Sequence, residues 1–216
     1  MLELGLKTLI AYLLGSLMGA LLVGTTRGVD IREQGSGNAG GTNALRTQGF
    51  WFAAGVVVID IGKGALAAGL LPGWNMPGSA GDPGVDRAWI AASCAAAAVA
   101  GHVWPLYHEF RGGQGGATLV GALLILAPAV VPVAIAGWLL IVMLTGYVGL
   151  ATMIAAITVA PALWLFGLQS PPLTAFAIAM TACIVWTHRN NIGRMRAGRE
   201  PHLTGLWLLR PRMPRP

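Results

Sequence analysis

The stretch Ala117–Val148 contains no charged residue. At about 1.5 Å per residue it is too long for a single crossing of a hydrocarbon layer roughly 30 Å thick, and about right for two short ones. Pro128 and Pro132 mark where the chain would turn. A soluble globule could not wet any face of such a segment. The remaining composition agrees, since only 10% of the 216 residues are charged and 55% are hydrophobic, against about 25% charged in an average soluble domain. Disorder is excluded and a soluble enzyme is disfavoured. The fold class expected is an all-α integral membrane protein. Its 31 Gly and 13 Pro suit membrane helices, where small residues let backbones approach.

Further apolar runs cover Leu4–Val23, Phe50–Leu71, Trp89–Val103, Gly149–Gly167 and Leu173–Thr187. The first is expected to be an uncleaved helix. Glu3 offsets Lys7 in what would be a basic leader, and the run exceeds a usual signal core. With two crossings in Ala117–Val148 the total is about seven, or about five if the weaker runs do not cross. The polar connections are Thr25–Gly49, a Pro/Gly loop Pro72–Arg87 with Asp82 and Asp86, His102–Gly116, and a basic tail from His188 to Pro216. Residues 1–216 thus form a single polytopic domain, with 188–216 as a basic cytoplasmic tail. Cys94 and Cys183 lie inside apolar runs and are expected to be buried thiols.

Charge sets the expected topology. The chain has 14 Lys+Arg against 8 Asp+Glu. Seven passes place Arg27, Arg32, Arg46, Arg111 and the arginines of the tail, including Arg210, Arg212 and Arg215, on one side. Lys7 and Arg87 fall on the other. Positively charged loops stay cytoplasmic, so the N-terminus is expected outside and the C-terminus cytoplasmic. A single span through Ala117–Val148 would carry the tail across the membrane and destroy this asymmetry. Nucleic-acid binding is not expected, because the tail lacks interleaved aromatics apart from Trp207.

Four constellations can carry chemistry. Gly35, Gly37 and Gly40 match G-x-G-x-x-G, but the β-α-β unit that a dinucleotide fingerprint needs is missing. The glycines instead allow amide N–H groups to converge on an anion. Ser36, Asn38, Thr42 and Asn43 add short polar side chains, and Arg46 adds a charge. The plainer alternative is a flexible interhelical loop. The second constellation joins His102 to a glycine-rich turn holding Gly113 and Gln114, followed by an apolar helix whose positive end would face the same side. A helix-end histidine bonded to backbone is its plainer reading. The third places His188, Asn191 and Arg194 at spacings of three, with Glu200 beyond. Such spacing aligns side chains on one helical face, although the arginines can equally serve only to fix topology. The fourth is Asp60 with Lys63, an i,i+3 pair inside an apolar run. It is either a structural ion pair or a device orienting the first loop. No Cys/His spacing suggests a metal site, and G-x-S-x-G is absent.

These segments, in this order, resemble the bacterial acyl-phosphate:glycerol-3-phosphate acyltransferases (the PlsY family). The hallmarks G-S-G-N-x-G-A-T-N-x-x-R, D-x-x-K-G, G-H-x-x-P…F-x-G-G-K-G-x-A-T and H-R-x-N-I-x-R…G-x-E correspond to Gly35–Arg46, Asp60–Gly64, Gly101–Thr118 and His188–Glu200. The resemblance implies a seven-helix enzyme of the bacterial inner membrane with its active site at the cytoplasmic face. It implies transfer of a fatty acyl group from acyl phosphate to the 1-hydroxyl of glycerol 3-phosphate, yielding 1-acylglycerol 3-phosphate and phosphate. By position it implies His188, Ser36 and Asn191 as catalytic, and Arg46, Ser36, Asn38, Thr42, Asn43, Gly113, Gln114 and His188 as binding substrate phosphate. Asp60, Lys63, His102, Arg194 and Glu200 would support them. The partners implied are acyl phosphate, glycerol 3-phosphate and the lipid bilayer, with no cofactor. The proton acceptor is left between His188 and a substrate phosphate oxygen.

The sequence departs from the family pattern in places. Gln114 replaces the lysine of G-G-K-G, and an amide offers a phosphate no full charge. Gly41, Gly116 and Met18 replace an alanine, a valine and a proline, which are changes of packing and flexibility. Gln114 therefore keeps open a divergent or non-catalytic relative that binds another phosphate-bearing ligand. A transporter is the remaining rival, although no inverted repeat is visible and the polar residues gather on one face.

Overall fold

The computed structural model describes residues 1–75 and 84–209. Asp82 and the tail residues Arg210, Arg212 and Arg215 lie outside the described residues. Those described are helical or irregular, without strands. The helices are α1 (Leu2–Gly15), α2 (Gly19–Thr25), α3 (Gly41–Gln48), α4 (Phe50–Gly69), α5 (Arg87–Val103), α6 (Gly116–Leu126), α7 (Val130–Thr145), α8 (Val148–Leu165), α9 (Pro171–Thr187) and α10 (Arg189–Arg196). Among the described residues α4, α5 and α8 are each long and apolar enough to cross a membrane. The bent pairs α1–α2 (45°) and α9–α10 (47°) raise the number to 5, while α6 and α7 are shorter apolar helices.

The uncharged stretch breaks where its prolines suggest. Helix α6 ends at Leu126, Pro128 lies in the turn, and Pro132 sits in the first turn of α7, where it has no intrahelical N–H partner to lose. The first apolar run differs from the continuous helix expected. It is interrupted at Ser16–Met18 and resumes as α2. Of the backbone groups that the interruption frees, the Asp60–Lys63 pair of α4 satisfies two. Lys63 Nζ donates to the Leu17 carbonyl (2.8 Å) and Gly19 N–H donates to Asp60 Oδ1 (3.2 Å). The two side chains are 3.0 Å apart and almost fully buried. The pair therefore holds the α1–α2 break and not the first glycine-rich loop.

Glycines set the spacing between helices. A Cβ at Gly121 would lie 1.9 Å from the Ile61 carbonyl oxygen, and one at Gly101 would lie 2.2 Å from that of Tyr12. Only glycine permits α6 to meet α4, and α5 to meet α1, at these distances. At the far end of the bundle, buried Lys7 donates to Glu3 (2.7 Å) and to the Pro72 carbonyl (2.8 Å). Arg87 joins the same two acceptors. At the near end, the C-termini of α5 and α9 meet the N-termini of α6 and α8 around one cavity.

Candidate active site

The first polar segment is shaped by Asn43 on α3. Its Oδ1 accepts from Ser36 N–H (3.0 Å), and its Nδ2 donates to the carbonyls of Ile31 and Gln34 (both 2.9 Å). Gly35 and Gly37 turn at φ +58° and +73°, the left-handed region that glycine enters without steric cost. Asn43 spends both amide hydrogens on the loop, so it shapes the loop and has none to offer a ligand. Thr42 and Arg46 lie on the same short helix. Arg32 donates to the Arg111 carbonyl (3.3 Å), tying the first segment to the second. Its bonds to Asp30 hold that carboxyl below its ordinary range.

In the second segment Gly113 N–H donates back to the His102 carbonyl (3.1 Å). Gly115, at φ +88°, then turns the chain into α6. His102 is not bonded to backbone through its ring. Its Nδ1 lies 3.3 Å from Asp60 Oδ1, and a Cβ at Gly113 would collide with its Nε2. Gln114 stands between all three segments. Its Oε1 accepts from Asn38 Nδ2 (3.0 Å), and its Nε2 donates to Asn191 Oδ1 (2.5 Å) and to the Thr187 carbonyl (3.2 Å).

The third segment continues this network. Asn191 Nδ2 donates to Glu200 Oε1 (2.7 Å), and Arg194 Nε donates to Glu200 Oε2 (2.6 Å). His188 caps α9, and its Nδ1 is 2.7 Å from the Ile184 carbonyl. A carbonyl can only accept, so Nδ1 carries a proton, and in the neutral ring the lone pair lies at Nε2. Arg46 Nη2 reaches the Pro201 carbonyl (3.1 Å).

The cavity encloses about 810 Å³. Ser36, Asn38, Thr42, Asn43, Arg46, Asp60, His102, Gly113, Gln114, His188, Asn191, Arg194 and Glu200 all line it. Lys63 alone of the expected residues does not, being committed to the α1–α2 break. Away from the polar end the walls become apolar, formed by Leu123, Ala134, Ile135, Trp138, Ala156 and Val159 of α6, α7 and α8. This trough was not foreseen, since its residues are indistinguishable in sequence from lipid-facing ones. Thr187 was also missed. Its hydroxyl donates to the Gln114 carbonyl (3.1 Å), and its position beside His188 was the available signal. Among the described residues no three His, Cys, Asp or Glu side chains gather to hold a metal ion.

Residues 6–198 match the glycerol-3-phosphate acyltransferase family model. The chain belongs to this family. Relatives bearing the family name include one from Pseudomonas syringae pv. tomato, 42% identical over 89% of this chain and 94% of the relative. Another, from Thermosynechococcus vestitus, is 39% identical over 93% and 95%. Two crystal structures of an integral membrane glycerol 3-phosphate acyltransferase, in glycerol 3-phosphate and lysophosphatidic acid forms, superpose with TM-score 0.78 at 30% identity. The first covers 93% of this chain and 95% of that one, the second 95% and 98%.

Proposed function

We propose that this membrane enzyme moves a fatty acyl group from acyl phosphate to the 1-hydroxyl of glycerol 3-phosphate, releasing 1-acylglycerol 3-phosphate and phosphate. The observation that carries this reading is the single cavity whose polar end runs directly into an apolar trough. A water-soluble phosphate ester and a lipid-borne acyl donor need such a junction to meet. Arg46 and the hydroxyls of Ser36 and Thr42 bind phosphate, assisted by Asn38. The apolar walls receive the acyl chain.

The donor is already activated, so positioning and electrostatic stabilisation supply most of the catalysis. The substrate hydroxyl oxygen attacks the acyl carbonyl carbon. A new ester C–O bond forms and the carbonyl carbon–oxygen bond to phosphate breaks, with phosphate leaving. His188 Nε2, whose lone pair is fixed by the Nδ1–H bond to Ile184, takes the hydroxyl proton. Asn191 and Ser36 orient the reacting groups, and Glu200 with Arg194 sets Asn191.

The topology proposed is seven crossings with the N-terminus outside and the active site at the cytoplasmic face of the bacterial inner membrane. It counts α1–α2 and α9–α10 as one crossing each and adds α6 and α7. In support, every polar segment of the cavity then falls on the arginine-rich side.

Purified protein assayed with acyl phosphate and glycerol 3-phosphate, beside Gln114→Lys, tests the function. Acyl transfer by the wild type is expected. An inert wild type revived by lysine would instead favour a non-catalytic relative, the reading that the neutral Gln114 specifically invites.

A further inference from the structure

The family match ends at residue 198, yet the chain beyond it is docked. Helix α7 ends at Thr145, leaving its last carbonyls without helical partners. The segment 200–209 supplies them. Leu203 N–H donates to the Gly146 carbonyl (2.8 Å) and Leu208 N–H to that of Met143 (2.9 Å). Trp207 Nε1 donates to the Leu144 carbonyl (3.2 Å), and His202 Nδ1 lies 3.0 Å from that of Thr145. The His202 ring is sandwiched between Tyr147 at 4.3 Å and Trp207 at 4.0 Å between ring centroids. A Cβ at Gly146 would sit 2.8 Å from His202 Nδ1, so the strap lies directly on the turn between α7 and α8.

The residues immediately before this latch enter the site. Pro201 offers its carbonyl to Arg46, and Glu200 holds Asn191 and Arg194. We propose that His202 is a positioning residue for the acyl-transfer reaction. Clamped between Tyr147 and Trp207, it fixes a strap that places Glu200 and the Pro201 carbonyl, and through them Arg46, Asn191 and Arg194. This rests on the reading that those residues wall the glycerol 3-phosphate end of the cavity. The trough residues of α7, Ala134, Ile135 and Trp138, lie more than a turn before the carbonyls that the strap grips, so the latch governs one substrate and not the other. Anchoring at both ends explains how a segment outside the family match supports its polar network.

The test uses the full-length protein in lipid nanodiscs. Without substrate, amide exchange at Leu203 and Leu208 is expected to be slow in the wild type and at least about tenfold faster in His202→Ala. In steady-state assays His202→Ala is expected to raise KM for glycerol 3-phosphate about tenfold, while KM for acyl phosphate stays within about twofold. His202→Phe keeps an aromatic ring between Tyr147 and Trp207, and is expected to recover most of both losses. Unchanged exchange in His202→Ala, or equal losses for both substrates, overturns the proposal. Arg46→Ala separates the two readings. If it leaves KM for glycerol 3-phosphate unchanged, the site assignment falls, and exchange at Leu203 and Leu208 decides the latch alone.

Discussion

Gln114 Nε2 donates to Asn191 Oδ1 at 2.5 Å, while its Oε1 accepts from Asn38. One neutral side chain thus joins three segments that are far apart in sequence. Its donors are consumed by protein acceptors, so it contributes geometry and no charge to the proposed phosphate site. A lysine here would donate in every direction. The Asn38 amide would have to rotate to offer oxygen, turning its NH2 towards the cavity. Gln114→Lys is therefore expected to lower KM for glycerol 3-phosphate several-fold, because charge-assisted bonds are about twice as strong as neutral ones. Gln114→Leu strands the amide of Asn38 and is expected to reduce kcat/KM by at least about a hundredfold. Steady-state kinetics on both variants checks the contrast. A lysine variant with raised KM would show that the glutamine is matched to its own ligand.

The Asp60–Lys63 pair makes a stability prediction. Removing one partner leaves a buried charge uncompensated, which costs about 3–5 kcal/mol. Lys63→Met should therefore lower the thermal midpoint markedly in detergent, with activity lost in parallel. The double change Asp60→Leu/Lys63→Met removes both charges and should be milder. It should not be neutral, because Leu17 O and Gly19 N–H then lose their partners at about 1–3 kcal/mol each. A double variant less stable than Lys63→Met would defeat the account.

Much of this was legible in sequence because polar residues are scarce. In a chain with 10% charged residues, Arg46, Asp60 and Arg194 stand out against an apolar background. The prolines of Ala117–Val148 gave the α6–α7 turn. The break at Ser16–Met18 was hidden, because the groups satisfying it come from Asp60 and Lys63, distant in sequence. Asn43 was placed at the phosphate by its neighbours, whereas its amide is spent on Ile31 and Gln34. Such division of labour among adjacent polar residues depends on side-chain direction, which one-dimensional spacing does not carry. The strap was hidden for the same reason. Nothing in the local pattern shows that His202 stacks on Tyr147.

The trough predicts chain-length selectivity. Val159 of α8 and Leu123 of α6 line its apolar part, and overfilling a packed site typically costs about 1–3 kcal/mol. Val159→Trp should raise KM for palmitoyl phosphate about tenfold or more, and change KM for a short acyl phosphate far less. Competition between the two donors in one vesicle assay gives the ratio directly. Equal effects on both donors would place the acyl chain elsewhere.

His188 gives the sharpest mechanistic prediction. Its Nδ1–H is committed to the Ile184 carbonyl at 2.7 Å, so the ring can accept only through Nε2. A positioned general base contributes roughly 10²–10⁴-fold to rate. His188→Gln can still donate an amide hydrogen but has no basic nitrogen. It should therefore lower kcat by about that factor while leaving KM for glycerol 3-phosphate little changed. If binding and turnover fall together, His188 is a phosphate ligand and a substrate phosphate oxygen takes the proton. If kcat alone falls, the pH–rate profile supplies a second check. The wild type should show an acid limb, where protonation of Nε2 removes the base, and His188→Gln should lose it. The limb's persistence in the variant would remove His188 from the proton transfer.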